Sequence, residues 1–146
     1  MKHIVVGVDR SDTARRAAET AATIAAALGA NLQLVMCINR APGREVGAGG
    51  DKWLVVSVSE SEQFLKDLAR GLPHDQIAST VTIGDPATVM VQEALRLDAT
   101  MIVVGNRRVQ GVTRVLGSVA GDVTKHASCD VLIANTTVPR SAAESP

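Results

Sequence analysis

The sequence predicts an α/β fold: a single doubly wound domain whose five-stranded, mostly parallel sheet carries helices on both faces. Three observations predict it. Short β-branched apolar runs alternate with helix-like segments along the chain, which is the rhythm of βαβ units. The runs are continuously apolar, as strands buried on both faces are. At 146 residues the chain has the size of one domain, enough to bury roughly two-thirds of its unfolded surface.

The elements follow in order. His3 to Asp9, HIVVGVD, ends in Gly and Asp and reads as the first strand. Ser11 or Asp12 caps an alanine-rich helix that runs to about Leu28 and is closed by Gly29. Its many alanines let that helix approach a sheet closely. Asn31 to Ile38, NLQLVMCI, is the second strand. Asn39 to Lys52 holds four glycines and a proline and is expected to be a mobile loop, of a length that is functional or disordered in a compact domain. Trp53 to Val58 fits either a first helical turn or a short extended piece. Ser59 with Glu62 forms a capping-box pair for the next helix, with Phe64, Leu65 and Leu68 on one face.

Ile77 to Gly84 is the third strand, and Asp85-Pro86 supplies the cap and first-turn proline of a helix to about Leu97. Thr100 to Gly105, TMIVVG, is the fourth strand. A helix from about Ser118 to His126 follows, and then the fifth strand, Cys129 to Asn135. In an order such as 3-2-1-4-5 the fifth strand lies at the sheet edge. The domain is expected to span residues 1–137, with a disordered polar tail over 138–146.

A hydrophobic content of 46% and a formal net charge of zero describe an ordinary soluble globule with no global pull toward nucleic acid or anionic membrane. Trp53 and Phe64 are the only aromatic residues, which argues against base stacking and hence against a nucleic-acid partner. The chain opens directly on a strand-like run, and no apolar stretch approaches a membrane span. Cys37 and Cys129 are lone thiols without CxxC pairing, so a reducing, cytoplasmic setting is expected.

In sheets of this kind ligands bind beyond the carboxyl ends of the strands, where the strand order reverses. That rule puts Asp9, Cys37 with Ile38, Gly84 with Asp85, and Gly105 on one rim. Gly105, Gly111 and Gly117 follow at equal spacing, with Arg107, Arg108 and Arg114 among them and Ser118 opening a helix. Glycines permit close backbone approach to phosphate oxygens, and a helix amino end adds free donors. Arg107 or Arg108 suits a bidentate grip on phosphate. Val104, Asn106 and Val119 flank these residues and complete the candidate site. The same pattern also fits glycines that only turn the chain and arginines that are solvated, and the residues alone leave both readings open.

Other chemistries are excluded more firmly. A Walker GxxxxGK[ST] and a Rossmann GxGxxG are both missing. A receiver-type phosphoacceptor at Asp85 would need an acidic pair after the first strand and a Lys after the fifth, and neither is present. His3, His74 and His126 fall on different elements without ligand spacing, so no metal site is expected. No Ser-His-acid or Cys-His arrangement is visible, and both cysteines read as small core residues.

The opening IVVGVDRSD, the GDPA before the third helix, and VVGN…GSVA followed by CDVLIAN resemble the universal stress protein family, from Lys2 to about Thr137. Nucleotide-binding members carry G-x2-G-x9-G-[ST] after the fourth strand and an Asp ending the first; they bind ATP at this rim and usually dimerise. The resemblance therefore implies a stress-response regulator that binds an adenine nucleotide, ATP first among them, with magnesium arriving on the nucleotide. It assigns Gly105 as the first motif glycine and Gly117 with Ser118 as the final pair. It puts Asp9 near the ribose, Gly7 and Val8 beside the adenine, and Cys37 where backbone meets the base.

The second motif glycine is replaced by Arg108, and the interval to Gly117 is one residue shorter than the pattern, with Gly111 inside it. Arg108 either strengthens a phosphate clamp or fills the phosphate pocket. No positioned general base or Lys clamp is evident, so at most weak ATP hydrolysis is expected. The alternatives are a nucleotide-free interaction module and a slow nucleotide hydrolase. The apolar edge formed by Cys129 to Asn135 is expected to pair with its own copy in a homodimer.

Overall fold

The computed structural model describes residues 2–38, 48–106 and 117–136. Its elements are β1 (His3–Gly7), α1 (Asp12–Leu28), β2 (Asn31–Ile38), α2 (Ala48–Arg70), β3 (Ile77–Ile83), α3 (Pro86–Leu97), β4 (Met101–Gly105), α4 (Ser118–His126) and β5 (Asp130–Ala134). The five strands form one sheet in the order β3-β2-β1-β4-β5, and every neighbouring pair is parallel. The predicted fold class and strand order are those found.

Alternation along the strands sorts the core into two layers. Ile4, Val6, Leu32, Leu34 and Val103 pack against the alanines of α1 and against Leu65 and Leu68 of α2. Val5, Val35, Ile102 and Val104 face the other way, onto Ala87, Met90 and Ala94 of α3 and Ala120 and Val123 of α4. Ala14, Ala17, Ala18, Ala21, Ala22 and Ala25 are all buried at helical spacing, so α1 lies on the sheet through a stripe of single methyl groups.

Local chemistry sets the helix ends. The Ser11 hydroxyl accepts the Ala14 N–H at 3.2 Å, and Gly29 closes α1 in the left-handed region at φ 64°. Asp85 caps α3 by accepting the Thr88 N–H at 3.0 Å, with Pro86 in the first turn. The Thr88 contacts hold the Asp85 carboxyl below its ordinary pKa.

One expectation needs correction. α2 begins at Ala48, inside the segment expected to be a loop, so Ser59 is an interior helical residue and not a cap. Ser61, Leu65 and Leu68 are buried, and Val58 precedes them at the same helical spacing. The inward stripe therefore already includes half-buried Val58, upstream of Ser59, and it outweighs the local capping pattern at that point. The remainder of that expected loop, and the 138–146 tail, lie outside the described residues.

From β1 the chain first crosses to β2 on one side; β4 lies on the other side of β1. The connections diverge there, which opens a crevice beyond Gly7 and Gly105.

Candidate functional site

The crevice is a cleft of about 410 Å³. β1 brings Gly7, Val8 and Asp9 to its wall, and β2 brings Cys37. Val104, Gly105 and Asn106 arrive from the end of β4, and Gly117, Ser118 and Val119 from the start of α4. Every predicted site residue that is described thus lines one cleft. Arg107, Arg108 and Gly111 lie outside the described residues.

Five lining residues were not anticipated: Ala14, Val35, Pro86, Met90 and Ala120. Val35 stands two residues before Cys37 on the same strand face, which the period of a strand could have signalled. Pro86 and Met90 are one helical turn apart on α3. Met90 also fits closely against β1, since a Cβ on Gly7 would lie 2.3 Å from its sulfur.

Asp9 is anchored rather than loose. Its Oδ1 accepts the Ser11 N–H at 2.7 Å and also the Ser11 hydroxyl, whose oxygen in turn accepts from Ala14. The carboxylate is thereby tied to the first turn of α1, beside the ends of β1 and β2. Across the cleft, α4 starts at Gly117 with no side-chain cap hydrogen bond. The helix itself leaves its first N–H groups without intrahelical partners, and its dipole adds partial positive charge.

Asn106 ends β4 and is 6% exposed. Its N–H donates to the Ala134 carbonyl at 3.2 Å. Its Oδ1 accepts the Thr136 N–H at 3.0 Å and lies 3.0 Å from the Thr136 hydroxyl, which also reaches the Asn106 carbonyl at 2.5 Å. Thr136 is 1% exposed, so the chain just past β5 is locked to the chain just past β4. Sequence reasoning placed Thr136 at the border of the polar tail and missed this contact.

Burial, reinforced by the Asp85 carboxylate, pushes the Cys37 thiol up to about 11. Burial likewise raises Cys129, with Asp130 adding to it. Neither is a thiolate near neutrality, so neither is an activated nucleophile. Both thiols should therefore react with a thiol–disulfide reagent at pH 8 far more slowly in the folded protein than in urea; equal rates would contradict this environment. The folded Cys37 holds its proton more tightly than the unfolded one. Its contribution to stability is accordingly full below about pH 9 and is lost as pH rises toward about 11.

Among the described residues no cluster of three His, Cys, Asp or Glu side chains is arranged to hold a metal ion. No described helix is long and apolar enough to cross a membrane.

The universal stress protein family matches residues 1–135. Universal stress protein Rv1636 of Mycobacterium tuberculosis is 33% identical over 146 residues, covering 93% of this chain and 97% of its own. Among solved structures, a universal stress protein in complex with cAMP superposes with a TM-score of 0.67 at 29% identity, covering 93% of this chain and 98% of its own. UspA from Lactobacillus plantarum shares the fold, with a TM-score of 0.71 at 24% identity over 90% of this chain and 96% of its own. With a family match across nearly its whole length and a relative at this level of identity, the chain belongs to the universal stress protein family.

Proposed function

We propose that the cleft binds an adenine nucleotide, ATP in the first place, and that the protein serves as a nucleotide-responsive stress regulator of the cytoplasm. The observation that carries this reading is the meeting of three features on one cleft: the glycine ends of β1 and β4, an anchored carboxylate, and the uncapped start of α4. Its volume, about 410 Å³, is in the range of small-ligand sites. The solved relative in complex with cAMP supports the same ligand class.

In this reading the base lies toward Val35, Cys37 and Met90, beside the backbone of Gly7 and Val8. Asp9 accepts from the ribose hydroxyls. The phosphates lie toward Gly105, Asn106 and Gly117, under the first N–H groups of α4 at Ser118 and Val119. In the sequence Arg107, Arg108 and Gly111 lie between these points, and a phosphate contact from the arginines is part of the proposal, with Arg108 filling the phosphate place as the alternative. Magnesium comes with the nucleotide rather than from a protein cage.

Binding is favoured over turnover. The titratable groups among the described lining residues are Asp9, already accepting two hydrogen bonds, and Cys37, held protonated. Neither is suited to be a general base. A ligand at a hundredfold excess over its Kd should stabilise the fold by about 2.7 kcal/mol, which is several degrees for a domain of this size. A thermal-shift series with ATP, ADP, cAMP and GTP checks this. No shift with any adenine nucleotide would favour a nucleotide-free interaction module instead.

The assembly proposed is a homodimer built on β5. Val131, Leu132 and Ile133 are only partly buried, and among the described strands β5 has a neighbour on one side alone. A two-fold axis beside that edge would pair identical strands antiparallel and satisfy the free backbone groups.

A further inference from the structure

The geometry points to Thr136 as a positioning residue that aims the Asn106 side-chain amide at a phosphate oxygen of the bound ligand. This rests on the nucleotide reading of the cleft and deepens it.

The side-chain amide has two ends, and the contacts decide which end is which. The Thr136 backbone N–H is a donor without alternative, so the atom it meets at 3.0 Å must be the Asn106 oxygen. The –NH2 group is therefore left at the other end. It has no acceptor among the described residues, although Asn106 is 6% exposed. It is not sealed from solvent, and the space that Asn106 borders is the cleft. A largely buried amide with a free donor is poised to meet an acceptor. On the same wall stand Gly105, Gly117 and Ser118, so the acceptor is assigned as a phosphate oxygen.

The Thr136 N–H is what makes this orientation unique. Without it the amide could turn over and present its oxygen, which would repel an anion. The fit of Thr136 depends in turn on Gly105, where a Cβ would stand 2.9 Å from the Thr136 methyl group. A glycine that looks like part of a phosphate loop thus also admits the residue that orients the donor.

The test compares Thr136→Pro, which removes the N–H, with Thr136→Val, which keeps it and loses the hydroxyl, and with Asn106→Ala and the Thr136→Pro/Asn106→Ala double variant, by calorimetric titration with ATP, cAMP and adenosine. Thr136→Pro should weaken ATP and cAMP about tenfold, the scale of one hydrogen bond to a charged group, and Thr136→Val should retain most of the affinity. The double variant should bind no worse than Asn106→Ala alone, because both changes remove the same contact. Adenosine, lacking phosphate, should be affected by less than about twofold. In nitrogen-15 spectra the Asn106 side-chain NH2 pair should shift on ATP binding in the unmodified protein and in Thr136→Val, and not in Thr136→Pro. A purely structural role for Thr136 would move neither that signal nor the difference between ATP and adenosine. If the unmodified protein binds ATP and Thr136→Pro binds it equally well, the positioning role is overturned while nucleotide binding stands. A loss in Thr136→Val as large as that in Thr136→Pro would overturn the assignment to the N–H. Equal losses for ATP and adenosine would overturn the phosphate assignment. No binding by the unmodified protein overturns the nucleotide reading and this inference together.

Discussion

Gly105→Val is expected to cost about 3 kcal/mol or more in stability, lowering the melting temperature by roughly ten degrees. The first added carbon would stand 2.9 Å from the Thr136 Cγ2, 3.4 Å from its Oγ1 and 3.7 Å from the Ala17 Cβ. None of these neighbours is the free end of a flexible side chain. Thr136 is enclosed and hydrogen-bonded to Asn106, and Ala17 belongs to the methyl stripe of α1. Overpacking of a tight site costs about 1–3 kcal/mol. Displacing Thr136 would add the loss of buried hydrogen bonds, about 1–3 kcal/mol where a partner is left unsatisfied. Denaturant unfolding measures the sum; a loss under about 0.5 kcal/mol, the range of a neutral surface change, would show that the β4–β5 lock is not tight. Gly7→Ala should be milder despite its shorter contact, because the atom met there is the adaptable sulfur of Met90.

Gly105 also shows where local sequence reasoning stops. Its place on the rim was legible because a β-branched run ends there and a helix opens at Ser118. The strands and the caps at Ser11, Gly29 and Asp85 were readable for the same reason: each depends on residues within a few positions of one another. The strand order was readable only through the fold class that the βαβ rhythm implies. Thr136 was not readable, since it is buried by contacts thirty residues away in sequence and its neighbours are those of a polar tail. The start of α2 was misplaced because Ser59 and Glu62 satisfy a capping pattern that packing overrides. Met90 and Val35 reach the cleft only once the register of β1 against β2 and the approach of α3 are fixed. Periodicity finds the face of an element; it does not say which part of that face stays open to a ligand.

Ile133→Pro is expected to convert the proposed dimer into a monomer while leaving the fold in place. The Ala134 carbonyl accepts from Asn106, so residue 134 points its backbone groups at β4. The N–H and C=O of one strand residue point to the same side, and successive residues alternate. Ile133 and Val131 therefore turn their groups to the side away from β4. Proline at 133 removes an edge donor without breaking the β4 ladder. By two-fold symmetry it removes one donor from each copy, for a combined loss of about 2 kcal/mol or more. Ala134→Pro should instead destabilise the domain itself, because its donor faces β4. Light scattering at micromolar concentration decides the matter. A monomeric unmodified protein would end the dimer proposal, and a dimer that survives Ile133→Pro would place the interface elsewhere.

The ends of β1 and β4 and the start of α4 are proposed to form together a site for an adenine nucleotide, with the phosphates held by backbone donors and Asn106. Calorimetric titration of the full chain with magnesium–ATP, with cAMP and with adenosine in parallel tests it most directly. Saturable binding of one nucleotide per chain is expected, with adenosine weaker than either phosphate-bearing ligand. Absence of heat from all three up to millimolar concentration, with no protection of the fold against thermal unfolding, would contradict it.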